Sequence, residues 1–251
     1  MIGLFDSGIG GLTVLRSLQK KLPQESFIYL GDTARLPYGT KSSDTVLKYA
    51  KQNIDFLISK GADTIISACH SASSALLENQ LDYPVPILNV IEPACKEALT
   101  VTRNGQIGLL ATQTTVSSGQ YQKLIGGDAK LHAQASPLLV PLVETGWTDD
   151  PITDQIIERY TAFIKAADID TLILGCTHFP LLSDSIQKIV GPKVELVDPG
   201  DILADTLLKK DLKPSENPKL KLYLTDNSSH FLKISQAILM NFDLDLSQVD
   251  L

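Results

Sequence analysis

The chain has 251 residues, enough for one large domain or for two of about 100–150 residues with a core each. Hydrophobic residues make up 43% and charged residues 20%, ordinary proportions for a globular chain. The net charge of -7 argues against a nucleic-acid surface, because phosphate binding needs a basic face, and the basic pair Lys209-Lys210 is flanked by Asp205 and Asp211 as on a solvated surface.

Short apolar runs at 2–5, 27–30, 64–68 and 87–90 read as buried strands, as do 106–110, 138–141, 171–174, 194–197 and 221–225. Helical patterns lie between them. "LTVLRSLQKKL" places Leu12, Leu15, Leu18 and Leu22 on one face. "SDTVLKYAKQNIDFLISKG" has Val46, Tyr49, Ile54 and Leu57 at helical spacing, follows a candidate N-cap at Ser42 or Ser43, and ends on Gly61. "LKPSENPK" at 212–219 reads as a surface connection before a last strand and helix. The β-α alternation implies an α/β fold with mostly parallel sheets covered by helices. No apolar run approaches the roughly 18 residues of a membrane helix. The opening "IGLFDSG" breaks after four residues, so no secretory leader is expected.

The sequence repeats itself once. "IGLFDSGIGGLTV" from Ile2 returns as "IGLLATQTTVSSG" from Ile107, an offset of 105 residues, and "DTIISAC" from Asp63 returns as "DTLILGC" from Asp170, an offset of 107. Two similar, pseudo-symmetric α/β domains are therefore expected, 1–93 plus 206–251 and 94–205. Each copy of the second motif ends in a cysteine, Cys69 and Cys176. Ligands of open α/β sheets bind beyond the carboxyl ends of strands, so the two thiols are expected to line one cleft between the domains from opposite sides.

Three cysteines cannot all pair, and none shows the close spacing of a structural zinc site. Free thiols in a cytoplasmic, reducing compartment follow. Cys95, within "PACKEAL", reads as a small buried hydrophobe. Cys69 and Cys176 differ, because His70-Ser71 and Thr177-His178 follow them and helices begin there. Helix N-termini would lower a thiol pKa and offer N–H groups to an anion.

Other chemistries compete. Gly8, Gly10 and Gly11 open a helix after a strand, and Asp32 ends the next strand, as in a dinucleotide site. Thr13, however, stands where the third glycine should be, and Asp6 would repel a pyrophosphate. Asp6 can instead be a buried structural acid, or project with Ser7 into the cleft. Gly39, in "GDTARLPYGTKS", would let backbone approach a ligand. A Cys-His hydrolase would leave one cysteine idle. A pyridoxal enzyme needs a buried lysine, and only Lys41 is near. Zinc held by Cys69, His70, Cys176 and His178 would need unusual geometry. Two thiols across a cleft suit inversion of a carbon centre with one base on each face. The carbanion would be stabilised by donors from Ser7, Ser71, Thr112, Thr115 and Thr177.

The motifs "FDSGIGGLTVL", "YLGDTARLPYGTKS", "VIEPA", "LLVPLVETG" and "LILGCTHFPLL", in this order, resemble those of the bacterial glutamate racemases of the aspartate/glutamate racemase superfamily. The resemblance implies an isomerase that interconverts L- and D-glutamate without cofactor or metal, and supplies D-glutamate for peptidoglycan. It implies a small-molecule substrate, no membrane or nucleic-acid partner, and a homodimer as a possible assembly. Cys176 would act on L-glutamate and Cys69 on D-glutamate, assisted by Asp6, His178 and Glu144. Asp6, Ser7, Tyr38, Gly39, His70, Ser71, Thr177 and His178 would contact the amino acid. The family has Cys-Asn-Thr where this chain has Cys69-His70-Ser71, and many members carry a cysteine at Ser136. An imidazole at position 70, charged near pH 6–7, would retune or impair activity. That keeps open an aspartate racemase, or a regulatory relative without catalysis.

Overall fold

A computed structural model describes residues 1–79, 81–210, 214–226, 234–236, 238–239 and 245–251. The expected connection at 212–219 and the final helix fall partly outside these residues, as does Asp211.

Two parallel sheets form the molecule. The first contains β1 (Ile2–Asp6), β2 (Phe27–Gly31), β3 (Thr64–Ser67), β4 (Ile87–Asn89), β9 (Leu220–Leu224) and β10 (Asp245–Gln248), in the order β10-β9-β2-β1-β3-β4. The second contains β5 (Gln106–Ala111), β6 (Lys130–Ala135), β7 (Thr171–Gly175) and β8 (Glu195–Val197), in the order β6-β5-β7-β8. The order β2-β1-β3-β4 is thus repeated strand for strand, at the positions where the sequence repeats. Gly3 and Gly108 hold equivalent places. A Cβ at Gly3 would lie 2.8 Å from Ala62 Cβ, and one at Gly108 would lie 2.9 Å from Leu172 Cδ1, so each lets the neighbouring chain pack flat on its strand.

Helices α1 (Leu12–Lys21), α4 (Ile91–Val101), α6 (Gln120–Ile125) and α10 (Pro199–Leu208) contribute to a core that takes side chains from both sheets, including Leu4, Leu15, Cys95, Leu109, Tyr121 and Leu203. The leucine stripe of α1 is buried as its spacing requires. The outer face of the first sheet packs under α2 (Ser43–Ser59) and α3 (His70–Glu78), and that of the second under α7 (Leu139–Glu144), α8 (Pro151–Ala166) and α9 (Ser183–Val190). α2 begins as expected, with the Ser42 hydroxyl accepting from the Thr45 N–H at 3.4 Å. None of the described helices is long and apolar enough to cross a membrane.

One strand expectation fails, and two strands had no expectation. The run 138–141 is the start of helix α7, with Leu139 and Val143 buried one turn apart. An apolar run of this length is compatible with either periodicity. Conversely, β6 and β10 carry no apolar run; both lie at sheet edges, and β6 is half-buried or exposed throughout.

Candidate active site

Four strands, β1, β3, β5 and β7, end at one cavity of about 240 Å³ between the sheets. Ser7 follows β1, Cys69 follows β3, Thr112 follows β5 and Cys176 follows β7, and all four line the cavity. Ser7 and Thr112 occupy equivalent positions of the repeat, as do the two cysteines. Each thiol is 6% exposed. Tyr38, Gly39, His70, Ser71, Glu144, Thr177 and His178 complete the expected set at the wall.

Two expected residues do not reach it. Asp6 is fully buried behind the wall. One of its oxygens accepts from the Gly8 N–H at 3.0 Å and the other from the Thr177 hydroxyl at 3.3 Å. Asp6 is the last residue of β1 and is held inward by these bonds, whereas Ser7, past the strand end, lines the cavity. Thr115 is also fully buried, behind Ser71 and Thr112. Ser136 is buried away from the cavity, its hydroxyl donating to the Gln134 carbonyl at 3.3 Å.

The glycine loop after β1 is filled by protein rather than by a nucleotide. A Cβ at Gly10 would lie 2.5 Å from the His178 ring and 2.5 Å from the Thr177 hydroxyl. Thr13, at the place of the missing third glycine, donates to the Thr177 carbonyl at 2.9 Å. Asp32 does not face a ribose site. It pairs with Arg35 at 2.7 Å and accepts from Tyr38 and Thr225. Tyr38 is held at the cavity wall by that bond and by Asn53, while a Cβ at Gly39 would lie 2.8 Å from Thr112. The loop therefore closes against the second sheet's side of the cavity, and the close approach of Gly39 is to Thr112.

The two thiols sit in different electrostatic surroundings. Burial, and then the Asp6 charge, push Cys69 up to about 12, although the Ala72 N–H and the Ser7 hydroxyl, 3.7 Å from its Sγ, work the other way. The expected lowering by the helix N-terminus is thus overridden at Cys69. At the other thiol, His178 Nδ1 lies 3.8 Å from Cys176 Sγ and Nε2 lies 3.1 Å from Glu144 Oε1. Burial lowers the pKa of His178, but hydrogen bonds and charge from Cys176 and Glu144 outweigh it and raise the ring to about 10. Both ring nitrogens of His178 are thus engaged, which leaves neither free for zinc. Among the described residues no group of three or more His, Cys, Asp or Glu side chains is arranged to hold a metal ion.

His70 departs from the expected charge. It is 3% exposed, neither ring nitrogen has a partner, and burial lowers its pKa to about 3, so the imidazole is neutral throughout the physiological range. Its ring stacks parallel to Tyr121, with centroids 6.4 Å apart. Unpartnered buried polar groups of this kind cost about 1–3 kcal/mol.

Among the described residues the lining contains no lysine or arginine. An anion here meets hydroxyls, two thiols and the His178 ring, which a carboxylate holds. That arrangement suits removal of a proton from one face of a carbon and delivery to the other.

The Asp/Glu/Hydantoin racemase family model matches residues 10–207. The chain belongs to that family. It is 41% identical over 253 aligned residues to a glutamate racemase of Persephonella marina, covering 100% of this chain and 97% of the relative. The fold of glutamate racemase isoform RacE1 from Bacillus anthracis superimposes with a TM-score of 0.94 at 34% identity, covering 100% and 97% of the two chains. That of the Francisella tularensis glutamate racemase in complex with D-glutamate does so with a TM-score of 0.86 at 32% identity, covering 99% and 97%.

Some of the racemase site had no sequence signal. The apolar walls Val140 and Pro141 could not be placed while 138–141 read as a strand. Glu144 was indicated by resemblance alone, because only the fold shows it beside His178.

Proposed function

We propose that this racemase interconverts L- and D-glutamate without a cofactor, Cys176 taking the α-proton of L-glutamate and Cys69 that of D-glutamate. The observation that carries the reading is the pair of buried thiols at equivalent strand ends, on opposite walls of one cavity. The names of the relatives supply the substrate.

The chemistry follows from the surroundings. In the L-to-D direction Cys69, whose pKa is near 12, is a filled proton donor, and the His178 imidazolium offers a counter-charge to a thiolate at Cys176. After turnover the proton inventory is reversed, with Cys176 as the thiol and Cys69 as a strong thiolate base. The planar carbanion between them is stabilised by the hydroxyl donors of the lining. Apart from the His178 imidazolium, the groups offered to the substrate carboxylates are neutral donors. Asp6 acts from behind the wall, holding Gly8 and Thr177 and facing the charge of His178.

The same reading makes the protein cytoplasmic and a source of D-glutamate for peptidoglycan, with domains 1–93 plus 206–251 and 94–205. The test is circular dichroism of each enantiomer of glutamate and aspartate with purified protein. Racemisation of glutamate, lost in both Cys69→Ser and Cys176→Ser, supports the proposal. Full activity in either variant contradicts the two-base mechanism, and a preference for aspartate contradicts the substrate.

A further inference from the structure

We propose that Thr114, which lies outside the cavity lining, is a positioning residue that ties the loop carrying Tyr38 and Gly39 to the second domain, and so sets how tightly the cavity holds its ligand. The proposal rests on the reading of the cavity as a glutamate site.

The loop between β2 and α2 supplies Leu36, Pro37, Tyr38, Gly39 and Thr40 to the cavity wall. Its own domain anchors it through Asp32 and Asn53, which hold Arg35 and Tyr38. Across the domain boundary, the Thr114 hydroxyl donates to the Lys41 carbonyl at 3.0 Å and to the Tyr38 carbonyl at 3.4 Å. Both partners are carbonyls and can only accept, so the direction of the hydroxyl proton is fixed. Among the described residues, these are the only hydrogen bonds from the loop to the second domain.

Thr114 is the second residue of α5 (Gln113–Ser118). No helical turn precedes it for its hydroxyl to bond back to, so the group is available to reach across. The Tyr38 carbonyl also accepts the Lys41 N–H at 3.0 Å, which closes the short turn Tyr38–Thr40. A donor shared between the two ends of that turn holds it as one piece, with Gly39 against Thr112. Without the Thr114 hydroxyl the loop stays attached to its own domain but loses its hydrogen bonds to the opposite wall, and a ligand enclosed between the two escapes more readily. Cys69, Cys176, His178 and Glu144 stand on other elements, so the effect falls on binding and not on the chemical step.

The test compares wild type, Thr114→Val and Thr114→Ser. KM and kcat are measured in both directions, Kd for D-glutamate by titration calorimetry, Tm by thermal melting, and amide hydrogen exchange at residues 36–41 by mass spectrometry. Valine keeps the branched shape and removes the donor, whereas serine keeps the donor. Thr114→Val is expected to raise KM and Kd about fivefold, the scale of one hydrogen bond, with kcat within about twofold of wild type and faster exchange at 36–41. Thr114→Ser is expected to stay within about twofold of wild type in each. Unchanged Kd or unchanged exchange in Thr114→Val overturns the proposal. So does a fall in kcat at constant KM, which would place Thr114 in the chemical step, and so does an equal loss in both variants that tracks a lower Tm. If the wild type does not bind glutamate, the reading of the cavity falls, and exchange at 36–41 alone decides the tie: faster in Thr114→Val supports it, unchanged overturns it.

Discussion

Glu144 Oε1 and His178 Nε2 are 3.1 Å apart, joining the end of helix α7 to the turn that carries Cys176. Together with Cys176, the larger contributor, the carboxylate's charge keeps the buried imidazole protonated, although burial alone would discharge it. Glu144→Gln removes that charge, and the pKa of His178 should fall. The basic limb of the pH profile in the L-to-D direction should move to lower pH, with kcat/KM down about tenfold at pH 8, a change equivalent to about 1.4 kcal/mol. Initial rates across pH 6–10 check this, and an unmoved limb would show that His178 is not the titrating group.

The same pair links stability to pH. The folded pKa of His178, about 10, lies above its ordinary value of 6.5, so the stabilisation is fully present below pH 6.5 and is lost as the pH rises through 10. The Tm of wild type should fall over this window by more than that of Glu144→Gln. Parallel melting curves for the two proteins would contradict the assignment.

Gly10 allows the second domain to seat His178 and Thr177 against the first. A methyl group there has no room, because the His178 ring and the Thr177 hydroxyl would both lie 2.5 Å from it. Gly10→Ala should lower kcat/KM by about a hundredfold, the scale set by a misplaced catalytic group, while circular dichroism shows a folded protein. Wild-type activity in this variant would mean that the domain contact is not needed for catalysis.

The strand-end cysteines, the repeat and the domain pairing were legible because each leaves a local signature: an apolar run that stops, a polar residue next, and the same pattern about a hundred residues on. What was not legible depends on which way a side chain faces and what surrounds it. Asp6 and Thr115 lie one residue and one helical turn from cavity residues, and point elsewhere. The high pKa of Cys69 comes from burial beside Asp6, which spacing does not reveal. The charge expected of His70 is absent because the ring is enclosed against Tyr121.

His70 is therefore neutral and unpartnered. An asparagine at this position is smaller and can donate and accept at any pH. His70→Asn should raise kcat/KM for glutamate by about tenfold, the worth of roughly 1.4 kcal/mol, without shifting the pH profile between pH 6 and 8. Lower rates at every pH would make His70 an adapted specificity residue. A profile that shifts near pH 6–7 would contradict the neutral, buried imidazole.

The most direct test of two bases on two walls is the fate of the α-proton. L-glutamate is incubated with the enzyme in D2O, and the isotopic content at Cα of substrate and product is followed by proton NMR at low conversion. If Cys176 removes the proton and Cys69 delivers another, the first D-glutamate formed carries deuterium and the remaining L-glutamate retains protium. Protium in the early D-glutamate, or deuterium entering L-glutamate as fast as D-glutamate forms, would mean that one base serves both faces and would contradict the account.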